Sequence, residues 1–409
     1  MKNPLYKSLF ATLLMAALLC ACKGNVQPDN SLQITENDLI HLDGTFNDNY
    51  LESWDYIILD ETTDALLGYA QTVLYDDGLY IIGSESFSPN PQIKVFDSNG
   101  HYLNDIGHVG RAKNEYLRAS FLALNTSRNE ILVYDTFQRV IKRYSYNGDF
   151  LGENSTDYNA GITDGFYGME SVKAISDGSL LMGDGSIFML PAYEFQFIRP
   201  DGNRTTPLKQ KTPYHLYCDE DPLEYVQKVG DMPGLGLTST YSDITSDTTY
   251  ILRLFDNHIY RMTPDSVECL ANMSFIPEIP DKVKMEFRET DIQKDFASSI
   301  PNSYCDMKDY LYMTFWHNEN EYMYEKATSK MYQFTRDLQH RITPDLNKIT
   351  IYGNTIVGCV SLEEIISINE EMDGKDYNHR FSPDVEAFYR KVRNCENPVI
   401  VRIHYKSQK

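Results

Sequence analysis

Short apolar runs bounded by Gly, Asn or Asp turns recur along most of the chain, with no helix-period stretch alternating between them. Asp76-Asp77-Gly78-Leu79-Tyr80-Ile81-Ile82 has the same form as Arg128-Asn129-Glu130-Ile131-Leu132-Val133-Tyr134 and Ser176-Asp177-Gly178-Ser179-Leu180-Leu181-Met182. Each reads as a turn followed by a short buried strand. A second strand and a hairpin turn follow every time: Ile93 to Phe96 leads to Asn99-Gly100, Ile141 to Tyr144 to Asn147-Gly148, and Phe195 to Ile198 to Asp201-Gly202. Asn-Gly and Asp-Gly suit tight hairpins because both central residues accept positive φ.

Later copies diverge but keep the form. Tyr250 to Phe255 pairs with His258 to Met262, Tyr310 to Phe315 pairs with Lys330 to Phe334, and Thr355 to Val360 follows the Tyr352-Gly353-Asn354 turn. With Leu79, Ile131, Leu180, Tyr250, Tyr310 and Thr355 as equivalents, the steps are 52, 49, 70, 60 and 45 residues. Six short-stranded units of this size predict an all-β, six-bladed β-propeller over residues 37–409 rather than a solenoid or sandwich. Tyr56-Ile57-Ile58-Leu59 precedes the first unit and Pro398 to Ile403 follows the sixth. Pairing them would close the ring and remove two open edges. Two short helices are expected inside the last blade, one over about Leu362 to Met372 and one from a Ser382 cap and Pro383 to Val392.

Composition sharpens this picture without changing it. Thirty Tyr and 19 Phe against 2 Trp fit half-buried sheet positions. The formal net charge of −22, from 37 basic and 59 acidic residues, repels phosphate backbones and argues against a nucleic-acid partner.

The first 22 residues carry a targeting pattern. Lys2 and Lys7 form a basic region, Leu9 to Leu19 is an apolar run too short to span a bilayer, and Leu19-Cys20-Ala21-Cys22 ends it. That ending resembles the bacterial lipobox, which implies cleavage after residue 21 and a lipid on Cys22. Residues 1–21 are then a lipoprotein signal peptide and 22–36 a flexible tether. The chain is expected to sit at the outer membrane through its lipid anchor. The first acid after Cys22 is delayed to Asp29, which leans to the periplasmic side over the cell surface. Besides Cys22, the downstream cysteines are Cys218, Cys269, Cys305, Cys359 and Cys395, an odd and widely spaced set that makes no disulfide framework. One bridge has room to form; buried thiols are the simpler expectation.

The lipobox, the strand–Asn-Gly–strand units, the segment from Gly107 to Tyr116 and the closing Glu396-Asn397-Pro398-Val399 together resemble the six-bladed β-propeller lipoproteins of Bacteroidota, relatives of the NHL-repeat propellers. Gly107, Gly110, Glu115 and Tyr116 match the family's loop after the first blade; Lys113 and Asn114 stand where it carries Pro and Gly. The resemblance implies fold and export, and little about activity.

Candidate chemistry sits in three segments. The Gly107 to Tyr116 loop lacks the following helix and the Lys-Ser/Thr pair of a phosphate cradle, so it is either an inter-blade turn held by Glu115 or a ligand-facing loop using Arg111, Glu115 and Tyr116. The insertion from Lys209 to Ser246 carries Tyr214, His215 and Asp219 among other aromatics and carboxylates, suited to sugar hydroxyls, to peptide contact, to Ca²⁺ or to plain packing. Trp316 and His317 join two strands of the fifth unit, where they either line the channel mouth or pack between blades. Asp281 to Ser299 reads as a short surface helix. No catalytic linear motif appears among the nine His, and no cofactor is implied. The expectation is a membrane-anchored binding module for a glycan, a peptide or an envelope protein. The alternative is a metal-dependent, lactonase-like hydrolase or lyase centred at the channel mouth, with ligands drawn from different blades.

Overall fold

The structure, a computed structural model, describes residues 31–408 apart from 69, 85–91, 136, 157–171, 184–194, 209–238, 254–255, 279, 281–295, 300, 317, 337–340 and 376. It opens with β1 (Leu32–Ile34), β2 (Leu39–His41), a short helix α1 (Phe46–Tyr50) and β3 (Leu51–Ile57). Sheet I then contains β4 (Ala70–Asp76), β5 (Leu79–Ser84), β6 (Ile93–Phe96) and β7 (Tyr102–Asp105) in that order. Sheet II repeats the order with β8 (Phe121–Asn125), β9 (Glu130–Asp135), β10 (Val140–Ser145) and β11 (Phe150–Ser155). Sheet III does so with β12 (Val172–Ala174), β13 (Leu180–Gly183), β14 (Phe195–Ile198) and β15 (Arg204–Leu208).

The later units depart from this regularity. β16 (Ser239–Ser242) precedes β17 (Thr249–Arg253), β18 (Asp256–Met262) and β19 (Val267–Met273), yet sheet IV is ordered β17-β18-β19-β1 and omits β16. Instead β16 joins sheet V in parallel with β20 (Pro301–Asp306), ahead of β21 (Tyr310–Phe315), β22 (Asn320–Glu325) and β23 (Lys330–Thr335), with β2 on the far edge. Sheet VI pairs β24 (Asn347–Tyr352), β25 (Thr355–Val360), β26 (Val399–Tyr405) and β3. Five sheets therefore have four strands and one has six, where the sequence predicts six like units. The arrangement is an all-β propeller with few helices.

Apolar clusters fill the seams between consecutive sheets. Leu74, Ile81 and Val95 meet Leu122, Ile131 and Val133 between I and II. Leu132 and Tyr134 meet Leu180 and Ile198 between II and III, and Leu181 and Phe197 meet Ile251 and Met262 between III and IV. Leu252 and Ile259 meet Leu311 and Met313, and Tyr310 and Phe334 meet Ile351 and Ile356. The last seam joins Val357 and Ile400 of sheet VI to Val73 and Ile82 of sheet I. Alternating strand residues feed the two seams on either side of a sheet, which is why Ile131 and Leu132 sit in different clusters.

The expected terminal pairing is present: β26 is antiparallel to β3, with Arg402 opposite Asp55 and Ile400 opposite Ile57. The expected helices are α2 (Leu362–Asp373) and α3 (Pro383–Val392), between β25 and β26. Ser382 caps α3 by accepting from Val385 N, with Pro383 in the first turn. Two other expectations change. Leu32–Ile34, placed in the flexible tether, is a strand paired with β19, because the edge of sheet IV is open to it. At Asn99-Gly100 and Asp201-Gly202 only the glycine has positive φ, +87° and +89°. Gly100 N donates to Asp97 O, so a four-residue turn with a register shift replaces the two-residue one. A Cβ on Gly202 would stand 1.8 Å from Ser155 O of sheet II, so close approach also demands glycine there. The helix expected over Asp281 to Ser299 lies outside the described residues except for Phe296 to Ser299, which contain a 3₁₀ turn at Ala297–Ser299.

Candidate functional site

The Gly107 to Tyr116 segment links β7 to β8 and is tied to itself. Gly110 N donates to Tyr116 O at 3.0 Å and Tyr116 N to His108 O at 3.1 Å. Glu115 Oε2 accepts from Ala112 N at 2.7 Å and Oε1 lies 2.8 Å from His108 Nε2. The Ala112 N–H, then His108, holds the Glu115 carboxyl below the ordinary carboxylate range. Glu115 therefore braces the loop. Tyr116 is fully buried in the seam between sheets I and II, while Arg111 is exposed. Lys142 Nζ donates to Lys113 O at 2.9 Å, and Tyr144 OH to Asn114 O at 3.0 Å, anchoring the loop on β10. Trp316 is half-buried between β21 and β22. Tyr214, His215, Asp219 and His317 lie outside the described residues.

Chain direction alternates from β4 to β7 and from β20 to β23, so loop 107–116 and Trp316 leave on the same face, which is opposite the tight first hairpin turns such as Asp77-Gly78. A second anchored turn lies on that face. Asp135, 1% exposed at the end of β9, accepts four backbone N–H groups: Leu117 at 2.6 Å, Arg118 at 3.3 Å, Phe137 at 3.0 Å and Gln138 at 2.9 Å. It staples the start of β8 to the turn before β10. Above it the Arg118 guanidinium packs 5.2 Å from the centre of the Phe137 ring, which is 66% exposed. No linear pattern marks this pair, because Phe137 follows a buried strand and reads as its continuation.

A third feature lies on the propeller axis. Tyr241 to Ser246 runs past β20 and touches sheets III and VI as well. Asp243 N donates to Asp306 O, Ile244 N to Ile351 O, and Ser176 N to Ser246 O. Ile244, 4% exposed, packs in the seam between sheets I and II. Asp243 Oδ1 accepts from Thr245 N and Gly353 N, both at 2.9 Å; burial nonetheless raises its pKa. Beside it, Asp306 accepts from Lys326 Nζ at 2.6 Å and from Tyr250 N at 2.7 Å. Lys173 Nζ donates to Tyr250 O at 3.1 Å and sits 4.1 Å from the centre of the Tyr304 ring. Burial lowers the pKa of Lys173 to about 7, against the pull of Asp306. Lys173, Tyr250 and Asp306 come from three sheets, and their sequence spacing hides the cluster.

The geometry agrees with the family to which the sequence belongs. A family model described as a domain of unknown function, DUF4934, matches residues 36–404. This chain is a member of the DUF4934 family. Among solved structures, the DUF4934 chain is similar to a Bacteroides fragilis protein described as exported, with TM-score 0.54, 16% identity, and 90% and 100% of the two chains covered. It is also similar to a DUF4221 protein of Bacteroides vulgatus, with TM-score 0.44, 8% identity, and 87% and 97% covered. Among curated proteins no sequence matches it. In the DUF4934 chain, no group of three or more His, Cys, Asp or Glu side chains among the described residues is spaced to hold a metal ion. No described helix is long and apolar enough to cross a membrane. Cys305, Cys359 and Cys395 are free thiols, and Cys218 lies outside the described residues.

Proposed function

We propose that the six sheets are blades of one closed ring, that Cys22 carries a lipid anchoring it at the outer membrane on the periplasmic side, and that it works as a binding module. Recognition of a glycan, a peptide or an envelope protein falls on the face bearing loop 107–116, Phe137 and Trp316. The observation that carries this reading is the filled axis. Tyr241 to Ser246 occupies the place where a propeller would assemble a catalytic centre from several blades, and its backbone bonds to sheets III, V and VI. With the axis packed, the longer connections of the second face are what remains to meet a ligand. The B. fragilis neighbour described as exported, and the resemblance of Leu19-Cys20-Ala21-Cys22 to a lipobox, support the location.

The test uses the full chain in detergent, screened against glycan and peptide arrays, with metal analysis alongside. Saturable binding that is unchanged by chelator is expected. A bound ion whose removal lowers the melting temperature, together with turnover of a lactone or ester, would overturn the reading in favour of the metal-dependent hydrolase. Globomycin-sensitive processing and palmitate labelling lost in Cys22→Ala test the anchor. Protease shaving of intact cells tests the side.

A further inference from the structure

The face over sheet II runs against the charge of the molecule. The connections over 107–118 and 137–139 carry Arg111, Lys113, Arg118 and Arg139 against a single acid, Glu115, in a chain with 37 basic and 59 acidic residues. Internal bonds already engage this acid and those of β9. Glu115 is taken by His108 and Ala112 N, Asp135 by four backbone N–H groups, and Glu130 lies 3.8 Å from Arg143. Among the cations, Lys142 is buried against Glu153. Arg111, Lys113 and Arg139 are exposed, and Arg118 lies on Phe137.

The Asp135 staple makes these groups one unit. It fixes the chain at 117–118 to the turn at 137–138, so the loop carrying Arg111 and Lys113 and the turn carrying Phe137 and Arg139 cannot move apart without breaking one of the two pairs of hydrogen bonds to one buried carboxylate. Phe137 is the most exposed large apolar side chain among the described residues, and it is held in place by its own N–H bond to Asp135 rather than lying on a loose loop. With the backbone on both sides anchored and Arg118 packed on the ring, a ligand pays ordering cost only for the exposed cationic side chains it engages.

Resting on the binding reading above, we infer that this surface, formed by Arg111, Lys113, Arg118, Phe137 and Arg139, binds an acidic polysaccharide segment. The apolar face of a pyranose covers the Phe137 ring, and carboxylate or sulfate groups meet the guanidinium and ammonium groups beside it. An acidic peptide would use the cations but has no need of the ring, and the ring is the better exposed of the two features.

Titration calorimetry on the full chain in detergent tests this with oligogalacturonate, a heparin-derived oligosaccharide, neutral dextran oligosaccharide and poly-glutamate. An acidic saccharide should bind, neutral dextran should not, and affinity should fall as salt rises. The pair Arg111→Glu with Lys113→Glu should weaken binding about tenfold or more, as should Phe137→Ala, while Phe137→Trp retains it. Melting curves of the variants should match the parent, since all three side chains are solvent-facing. Acidic-saccharide binding indifferent to both the charge reversals and Phe137→Ala would sink this inference and leave the binding reading standing. Poly-glutamate binding as tightly, with Phe137→Ala neutral, would assign the surface to acidic peptide instead. Failure of every glycan and peptide in the array would sink both.

Discussion

Lys173 shows how much a single side chain can depend on where the fold places it. Its ammonium is enclosed at the meeting of sheets III, IV and V, facing Asp306, Cys305 and Lys326, with Tyr304 beneath it and Tyr250 O as acceptor. Burial dominates and brings its pKa from the usual 10.5 to about 7. Between those two values the unfolded chain holds a proton that the native chain does not, so this residue makes stability rise with pH across that window and adds a constant cost below it. Lys173→Met has no such dependence. Chemical denaturation from pH 6 to pH 10 should show the parent gaining on the variant by roughly 4 kcal/mol as pH rises. Parallel curves would refute the account. Nothing near Lys173 in the sequence signals this, since its partners lie 77 or more residues away. Arg111 and Glu115, by contrast, were legible as a glycine-bounded loop, and only their contacts separate the bracing residue from the exposed one.

At the scale of elements, local pattern carries the turn-strand units but not every pairing: Tyr310 to Phe315 lies against β22, which separates it from Lys330 to Phe334. The turn-strand repeat, the two helices and the Ser382 cap all follow from nearest neighbours in sequence. The displacement of β16 does not, because its pairing with β20 is decided by an axis that exists only once the other sheets surround it. The hairpin glycines were found but their turn type was not: the outer strand bulges, as the shift at Val95/Phe96 shows. The Glu396-Asn397-Pro398 segment is the clearest element-level case of sequence marking structure. Asn397, 1% exposed, donates to Asp60 O at 2.6 Å and Ala65 O at 3.2 Å and accepts from Leu67 N at 2.7 Å. It locks the entry of β26 to the loop before sheet I. Asn397→Ala strands those backbone groups and should cost about 2–4 kcal/mol in equilibrium unfolding. A loss under about 0.5 kcal/mol would show that the loop re-pairs without it.

For the whole molecule, stability rests on the seams being filled all the way round. β26 is the one strand flanked by both the chain's beginning, β3, and its penultimate strand, β25. A chain ending after Cys395 lacks it, opens the seam holding Val357 and Ile400, and leaves two strand edges bare. Calorimetry on that truncation should show no cooperative transition. A melt within a few degrees of the parent would mean that the ring tolerates a gap. The same view explains why composition told so little about ligand class: a charge of −22 is a property of the total, whereas the reversal over sheet II is local.

The way β1, β2 and β3 clasp sheets IV, V and VI has a consequence for how the molecule is made. These strands precede sheets I to III in the chain, yet their partners, Val267–Met273, Lys330–Thr335 and Val399–Tyr405, all follow them. Sheets I to III can form from neighbouring hairpins, but the opening segment must wait without a partner until the later sheets have been made. Its arrival is then the step that finishes folding, and the outer edges of the three later sheets stay open to strangers until it comes.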